Sequence, residues 1–343
     1  MDYGLESRFN KGHNTITRKI VEMLSDDSRT SIAEMSKVLG ISRGTVSLWL
    51  KRAERAFGIR YTLDINEGKL GLENPHIILV KFAKRPEYGK IKEILDGSKP
   101  IQFAAKTKGD YDLLIYANTR SKIGYMNWDR RLRRELLVEY GGEWDTSDIS
   151  FKSLGYLPLR GSAITSGIVP DKYKKMLALL NDNSRIPLNE LSKELGLSYT
   201  ATVYAFKRLM ESGYVNRFTI SLAPLEDVSL MSMAARFIPT SDYEGIDNLV
   251  RRFYTADDKD PLISRYVIAM PLVGSYDFFT IGVFDNPEIA YKSNILAYKR
   301  EFKRYNKIDI RYAGITEVLV GRLPLRSIDA AKEFKSIPVV VEE

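Results

Sequence analysis

Apolar positions in the first sixty residues follow helical spacing. Between 14 and 25, Ile16, Ile20, Met23 and Leu24 share one face, with Asn14 or Thr15 placed to cap the start. A short helix is predicted over 31–39, where Ser31 and Glu34 have capping-box spacing and Gly40 stands where a helix needs a left-handed stop. Ser42 then caps a third helix that runs to about Ala56 and ends at Gly58. Val46, Leu50, Ala53 and Phe57 form its buried stripe, with Trp49 packing beside them. Arg43, Gly44, Ser47, Leu48 and Lys51 lie on the opposite side. Residues 59–65 alternate as a strand. From 77 to 153 the period changes repeatedly, predicting strand 77–82, helix 88–95, strands 101–107 and 112–117, helix 123–140 and strand 144–151.

The pattern then recurs. Asp27-Ser28-Arg29, Glu34, Ser36-Lys37, Leu39-Gly40-Ile41-Ser42 and Lys51-Arg52 return 156 residues later as Asn183-Ser184-Arg185, Glu190, Ser192-Lys193, Leu195-Gly196-Leu197-Ser198 and Lys207-Arg208. The new copy opens with helix 171–181, apolar at Tyr173, Met176, Leu177 and Leu180. A second mixed unit follows from Leu230 to about Val320, in which Gly274-Ser275-Tyr276-Asp277 matches Gly109-Asp110-Tyr111-Asp112. There the offset has grown to 165, and the extra residues fall around 255–261, an acidic stretch read as an exposed loop insertion.

Helix, short helix, glycine turn and helix make a helix-turn-helix, and the order βαββαβ is the ferredoxin-like pattern. The fold class is therefore α+β: a winged-type helix-turn-helix domain and a ferredoxin-like domain, the pair repeated twice. The expected boundaries are 1–65 and 66–153 for the first pair, with a linker over 154–169 rich in Gly, Pro and Ser. The second pair spans 170–222 and 223–325, and a tail covers 326–343.

Composition narrows the function. The formal charge of +8 over 343 residues favours a polyanionic partner. The absence of cysteine excludes disulfides, thiolate zinc sites and cysteine nucleophiles. The two histidines, His13 and His76, leave little room for a metal cluster or histidine acid–base chemistry. Neither a signal peptide nor a membrane-length apolar run is read, so a cytoplasmic protein with no membrane association is expected. No phosphate-cradling loop, dinucleotide fingerprint, metal-ligand spacing or catalytic constellation is present, and no cofactor is expected.

The helix-turn-helix residues, the βαββαβ unit with its Gly-x-Tyr-Asp turn and their repetition resemble the Lrp/AsnC (feast/famine) transcription regulators across nearly the whole chain. The usual member is about half this length, so the chain resembles two protomers fused head to tail. The resemblance implies binding to double-stranded operator DNA and a ferredoxin-like domain that pairs protomers and senses a small amino-acid-like effector. Carried over by position, the DNA-facing residues are Ser42, Arg43, Gly44, Ser47, Leu48, Lys51 and Arg52 in copy one. In copy two they are Tyr199, Thr200, Val203, Tyr204 and Lys207. The effector turns are Gly109, Asp110, Tyr111 and Asp112, and Gly274, Ser275, Tyr276 and Asp277. Because the halves differ, the expected assembly is an intramolecular pseudo-dimer, a homo-oligomer, or both.

The copies part on the face that meets DNA. Thr202, Phe206 and Leu209 keep the buried stripe of copy two, but no arginine precedes Arg208, so guanine cannot be read from its first turns. Weaker or different DNA binding by copy two is expected. The bland reading of each Gly-x-Tyr-Asp turn is a tight turn capped by its aspartate, and that of Arg130-Arg131-Leu132-Arg133-Arg134 is a solvated face. Two other classes stand beside the regulator. One is an enzyme similar to the siroheme decarboxylases, which share this architecture. Against it, Val169 stands where His13 would recur. The other is a sensing or assembly scaffold whose second helix-turn-helix does not bind DNA.

Overall fold

Three helices open the described chain of the computed structural model: α1 (Thr15–Asp26), α2 (Ile32–Leu39) and α3 (Arg43–Phe57). The structure describes residues 15–150, 152, 155–166, 168–223, 229–238, 266–284 and 307–324. His13, the expected cap at Asn14, the insertion around 255–261 and the tail from 326 lie outside them.

Local chemistry sets the helix ends. Ser31 accepts from the Glu34 backbone N–H, and the Glu34 carboxylate accepts from the Ser31 N–H, which closes a capping box. Gly40 stops α2 at φ 67°, Ser42 caps α3, and Gly58 ends it at φ 53°. The second copy has α7 (Asp171–Asp182), α8 (Leu188–Leu195) and α9 (Tyr199–Glu211). It keeps the turn glycine, Gly196 at φ 69°, and the serine cap of α9, Ser198, but has Pro187 in place of the capping-box serine. A short helix, α6 (Gly161–Ser166), precedes it.

Between the two heads runs an antiparallel ribbon of β1 (Arg60–Ile65) and β6 (Val215–Ser221). Thr62 pairs with Thr219 and Leu63 with Phe218. Shifting either pair by the repeat offset of 156 and exchanging strands gives the other, so a pseudo-twofold axis passes between them. Ser28 and Ser184, 156 residues apart, meet near that axis with hydroxyls at 2.6 Å. Their neighbours reciprocate: Arg29 donates to the Ser184 and Ile186 carbonyls at 2.7 and 3.1 Å, and Arg185 donates to the Thr30 carbonyl at 2.7 Å.

The ribbon crosses from head to head. Ile59 and Tyr61 pack with the first head, but Leu63 and Ile65 are buried in the core of the second. Conversely Phe218 packs with the second head, while Ile220 is buried among Ile20, Leu24 and Val46 of the first. Separating the heads therefore means opening both cores.

Below them, β2 (Asn74–Phe82), β3 (Ile101–Gly109), β4 (Leu113–Thr119) and β5 (Gly142–Ile149) pair in the order β5-β2-β4-β3, with α4 (Tyr88–Gly97) and α5 (Lys122–Tyr140) as crossovers. The second unit supplies β7 (Ser229–Ile238), β8 (Tyr266–Gly274), β9 (Phe278–Phe284) and β10 (Lys307–Val320) in the matching order β10-β7-β9-β8. β3 pairs with β10 and β5 with β8, so the two sheets close one barrel.

Closure explains the composition of β4, which is buried at every residue. Leu114 and Tyr116 point into the barrel with residues of the other unit, and Leu113, Ile115 and Ala117 pack outward under the helices. A strand covered on both faces reads as a continuous apolar run, not as an alternation.

The linker is part of the core. Tyr156 joins the first head and donates to the Ile220 carbonyl at 2.6 Å, Leu157 enters the barrel, and Leu159 and Ile164 join the second head. Arg160 ties the same segment to the Ser98, Ile101 and Asp96 carbonyls. Among the described residues no helix is long and apolar enough to cross a membrane.

Candidate nucleic-acid interface

The two recognition helices, α3 and α9, are held by their buried stripes. In α3, Val46, Leu50, Ala53 and Phe57 are buried as their spacing predicts. Around the other side Ser42, Arg43, Gly44, Leu48, Lys51 and Arg52 are exposed and Ser47 is half-buried. Arg52 lies over the Trp49 ring, with its guanidinium carbon 4.8 Å from the centroid, so Trp49 packs against the helix surface and steadies that cation. Arg43 stands at the first position after the cap, the end that recognition helices present to base edges.

In α9, Thr202 and Leu209 are buried, while Phe206 is half-buried and stacks on Phe218. Tyr199, Thr200, Val203, Tyr204 and Lys207 are exposed. Arg208 donates to the Tyr204 hydroxyl at 3.0 Å and lies 3.5 Å from Glu211, and Lys207 lies 4.0 Å from the same carboxylate. The cations of α9 are thus drawn toward its C-terminal end. The pseudo-twofold axis places this face in the position equivalent to that of α3, so one head presents a basic surface and the other an aromatic and apolar one.

The two Gly-x-Tyr-Asp turns lie where one unit's sheet meets the other's. At the first, the Asp110 N–H donates to the Tyr312 carbonyl at 2.8 Å, and the Asp110 carboxylate accepts from the Tyr312 N–H at 2.7 Å. Gly109, at φ 153°, passes so close that a Cβ would stand 2.3 Å from that carbonyl oxygen. Tyr111 is buried and donates to Ser232 of the other unit at 2.6 Å, and burial raises its phenol far above the ordinary value. Asp112 accepts from the Phe82 N–H and from Lys81, each at 3.0 Å.

At the second turn, the Ser275 N–H donates to the Thr146 carbonyl at 3.4 Å and the Tyr276 N–H to the Ser147 hydroxyl at 3.1 Å. The Asp277 N–H donates to the Ala235 carbonyl at 2.9 Å. Burial and the nearby Asp145 carboxylate push the Tyr276 phenol up to about 12. Backbone donors of both turns are already engaged: those of Asp110, Ser275 and Tyr276 across the barrel seams, and those of Asp112 and Asp277 within their own sheets.

His76 lies beneath α5, against Tyr125, with its side chain 5% exposed. Its Nδ1 is 3.2 Å from Asp148 and 3.1 Å from the Pro75 carbonyl, and its Nε2 is buried without a partner. Burial holds its pKa below the ordinary value, opposed by Asp148 and Asp129. The strand pairing puts Met231 at the equivalent position of the second unit, opposite Gly282 as His76 is opposite Ala117. In the arginine cluster, Leu132 is buried, Arg133 pairs with Asp129 at 2.8 Å over the Trp144 ring, and Arg130 and Arg134 face outward.

Arg29 and Arg185 appear in the repeat pattern without an assigned role, yet they lock the heads together. The signal was there: identical residues in both copies that belong neither to a helical stripe nor to a recognition face.

The family model described as "Winged helix-turn-helix DNA-binding" matches residues 13–56 and 172–216, the two heads. An HTH-type transcriptional regulator of Pyrococcus furiosus is 32% identical over 108 residues, 31% of this chain and 72% of its own length. The regulatory protein AsnC of Haemophilus influenzae is 29% identical over 112 residues, 32% of this chain and 75% of its own. Among solved structures, the siroheme decarboxylase NirDL covers 94% of this chain and 97% of its own at 15% identity and a TM-score of 0.56, a likeness of fold. With two helix-turn-helix and ferredoxin-like pairs in tandem, the chain belongs to the Lrp/AsnC family of helix-turn-helix transcriptional regulators.

Proposed function

We propose that this chain is a cytoplasmic, sequence-specific DNA-binding regulator that works as a two-headed pseudo-dimer within one polypeptide. The observation that carries the reading is the exposed Arg43, Lys51 and Arg52 face of α3, on a head locked to its twin by a shared ribbon. Arg43 serves base edges, where a bidentate guanidinium recognises guanine, and Lys51 and Arg52 serve phosphates. The net charge of +8 draws the chain to the duplex before specific contacts form. Two heads on one axis engage half-sites separated by about one helical turn or a multiple of it.

Selection of bound duplexes from a random pool, followed by footprinting, tests this reading. Two protected segments at that spacing are expected, and a single uninterrupted half-site overturns the two-headed form. Repeating the selection with a panel of amino acids tests the effector. Binding at the Gly-x-Tyr-Asp turns requires loosening a barrel seam, so an effector acting there alters DNA affinity through the spacing of the heads.

The enzyme reading rests on likeness of fold. His76 is buried, with Nδ1 already engaged, and the second unit has methionine in its place. Addition of an iron tetrapyrrole is expected to leave its absorption spectrum unchanged. A shifted spectrum with product formation supports the enzyme instead.

A further inference from the structure

The α9 face is unusual for a surface beside a basic recognition helix. Tyr199, Val203 and Tyr204 are 57%, 38% and 61% exposed, and Thr200 is exposed between them. Contiguous exposed apolar groups mark a contact surface. The pseudo-twofold axis puts Val203 where α3 has Ser47, Thr200 where it has Gly44, and Tyr204 where it has Leu48. No carboxylate occurs in the sequence between Glu194 and Glu211, so the first three turns of α9 carry no group of their own that repels phosphate. Arg208 donates its Nε–H to the Tyr204 oxygen, which leaves the phenol proton available to an acceptor outside the helix.

We infer that α9 reads a thymine-rich half-site through methyl contacts, so that the operator is asymmetric. Thymine alone of the four bases places a methyl group in the major groove, and apolar and threonine side chains are its partners there. Val203 and the Thr200 methyl meet the thymine C5-methyl groups, and the Tyr199 and Tyr204 hydroxyls donate to phosphate oxygens. Arg43 of the other head takes the guanine-bearing half-site. A protein partner is the competing occupant, but this face is the symmetry mate of the groove-facing side of α3 and is bordered by lysine and arginine. This inference rests on the DNA-binding reading above.

Uracil lacks only the C5-methyl of thymine and isolates the contact. A duplex recovered by selection with the full chain is titrated with all thymines, then with uracil replacing thymine in one half-site at a time. Replacement in the thymine-rich half is expected to weaken binding about fourfold per methyl contacted, the effect of burying one such group. Replacement in the guanine-bearing half leaves affinity unchanged. Val203→Ala is expected to abolish most of the uracil effect, whereas Arg43→Ala keeps it and relaxes the preference for guanine in the other half. Selected sites that are symmetric, or equal affinity for thymine and uracil duplexes, overturn the inference and leave DNA binding standing. Failure of the chain to bind any duplex overturns both.

Discussion

Leu63 follows the first helix-turn-helix in sequence, yet it is fully buried in the core of the second, with Leu177, Leu180, Leu191 and Leu209. Replacing it with alanine removes a whole isobutyl group from a closed core. At such sites the loss is about 3–5 kcal/mol, the transfer term plus the residual cavity. The crossed ribbon decides where that loss is felt: Leu63 belongs to the core that α7, α8 and α9 share and not to the core of α1, α2 and α3. Amide hydrogen exchange of the two heads measures this directly. An effect of about 3 kcal/mol corresponds to opening roughly 100-fold more frequent, because 1.4 kcal/mol is a factor of ten. For Leu63→Ala, faster exchange is expected over 171–211, with 15–57 largely unchanged. Ile220→Ala, whose side chain lies in the first core, is expected to do the reverse. Faster exchange confined to 15–57 for Leu63→Ala refutes the crossed ribbon.

Gly109→Ala places a Cβ 2.3 Å from the Tyr312 carbonyl oxygen, whereas at Gly274 the nearest oxygen, that of Thr146, is 3.0 Å away. Denaturant unfolding is expected to show a loss of about 3–5 kcal/mol for the first and roughly 1–3 for the second; an equal loss contradicts the asymmetry of the seams. The pKa of His76 is held below its ordinary value by burial. The unfolded chain therefore takes up a proton at this residue before the folded chain does. Its contribution to stability is complete above about pH 6.5 and is lost as pH falls below that value. Denaturant midpoints followed from about pH 7 to 5 should fall more steeply for the wild-type chain than for His76→Asn; parallel profiles contradict the assignment.

Much of the heads was legible in the chain because their signals are local. Ser31 with Glu34, Gly40, Ser42 and Gly58 fix helix ends within a few residues, and the i, i+4, i+7 stripe of α3 names its own buried face. The barrel was not legible, because pairing of β3 with β10 joins residues some two hundred positions apart, and nothing in either strand names its partner. For the same reason Asp112 read as the cap of its own turn, whereas its carboxylate is spent on Phe82 and Lys81 of β2. Tyr111 gave no sign that its hydroxyl reaches Ser232 in the other unit. The linker over 154–169 broke the hydrophobic period because successive residues serve different cores. Tyr156, Leu157 and Leu159 point into the first head, the barrel and the second head in turn.

The central claim is that the basic face of α3 meets DNA on a head held by its twin. Fluorescence anisotropy of a selected duplex, titrated over a range of salt concentrations with the wild-type chain and with Arg43→Ala, tests it most directly. The logarithm of the wild-type binding constant should fall linearly with the logarithm of salt concentration. Arg43→Ala should cost about 1–3 kcal/mol on the selected duplex and much less on a scrambled one. Binding that ignores salt, or equal affinities of the two chains on both duplexes, would contradict the account.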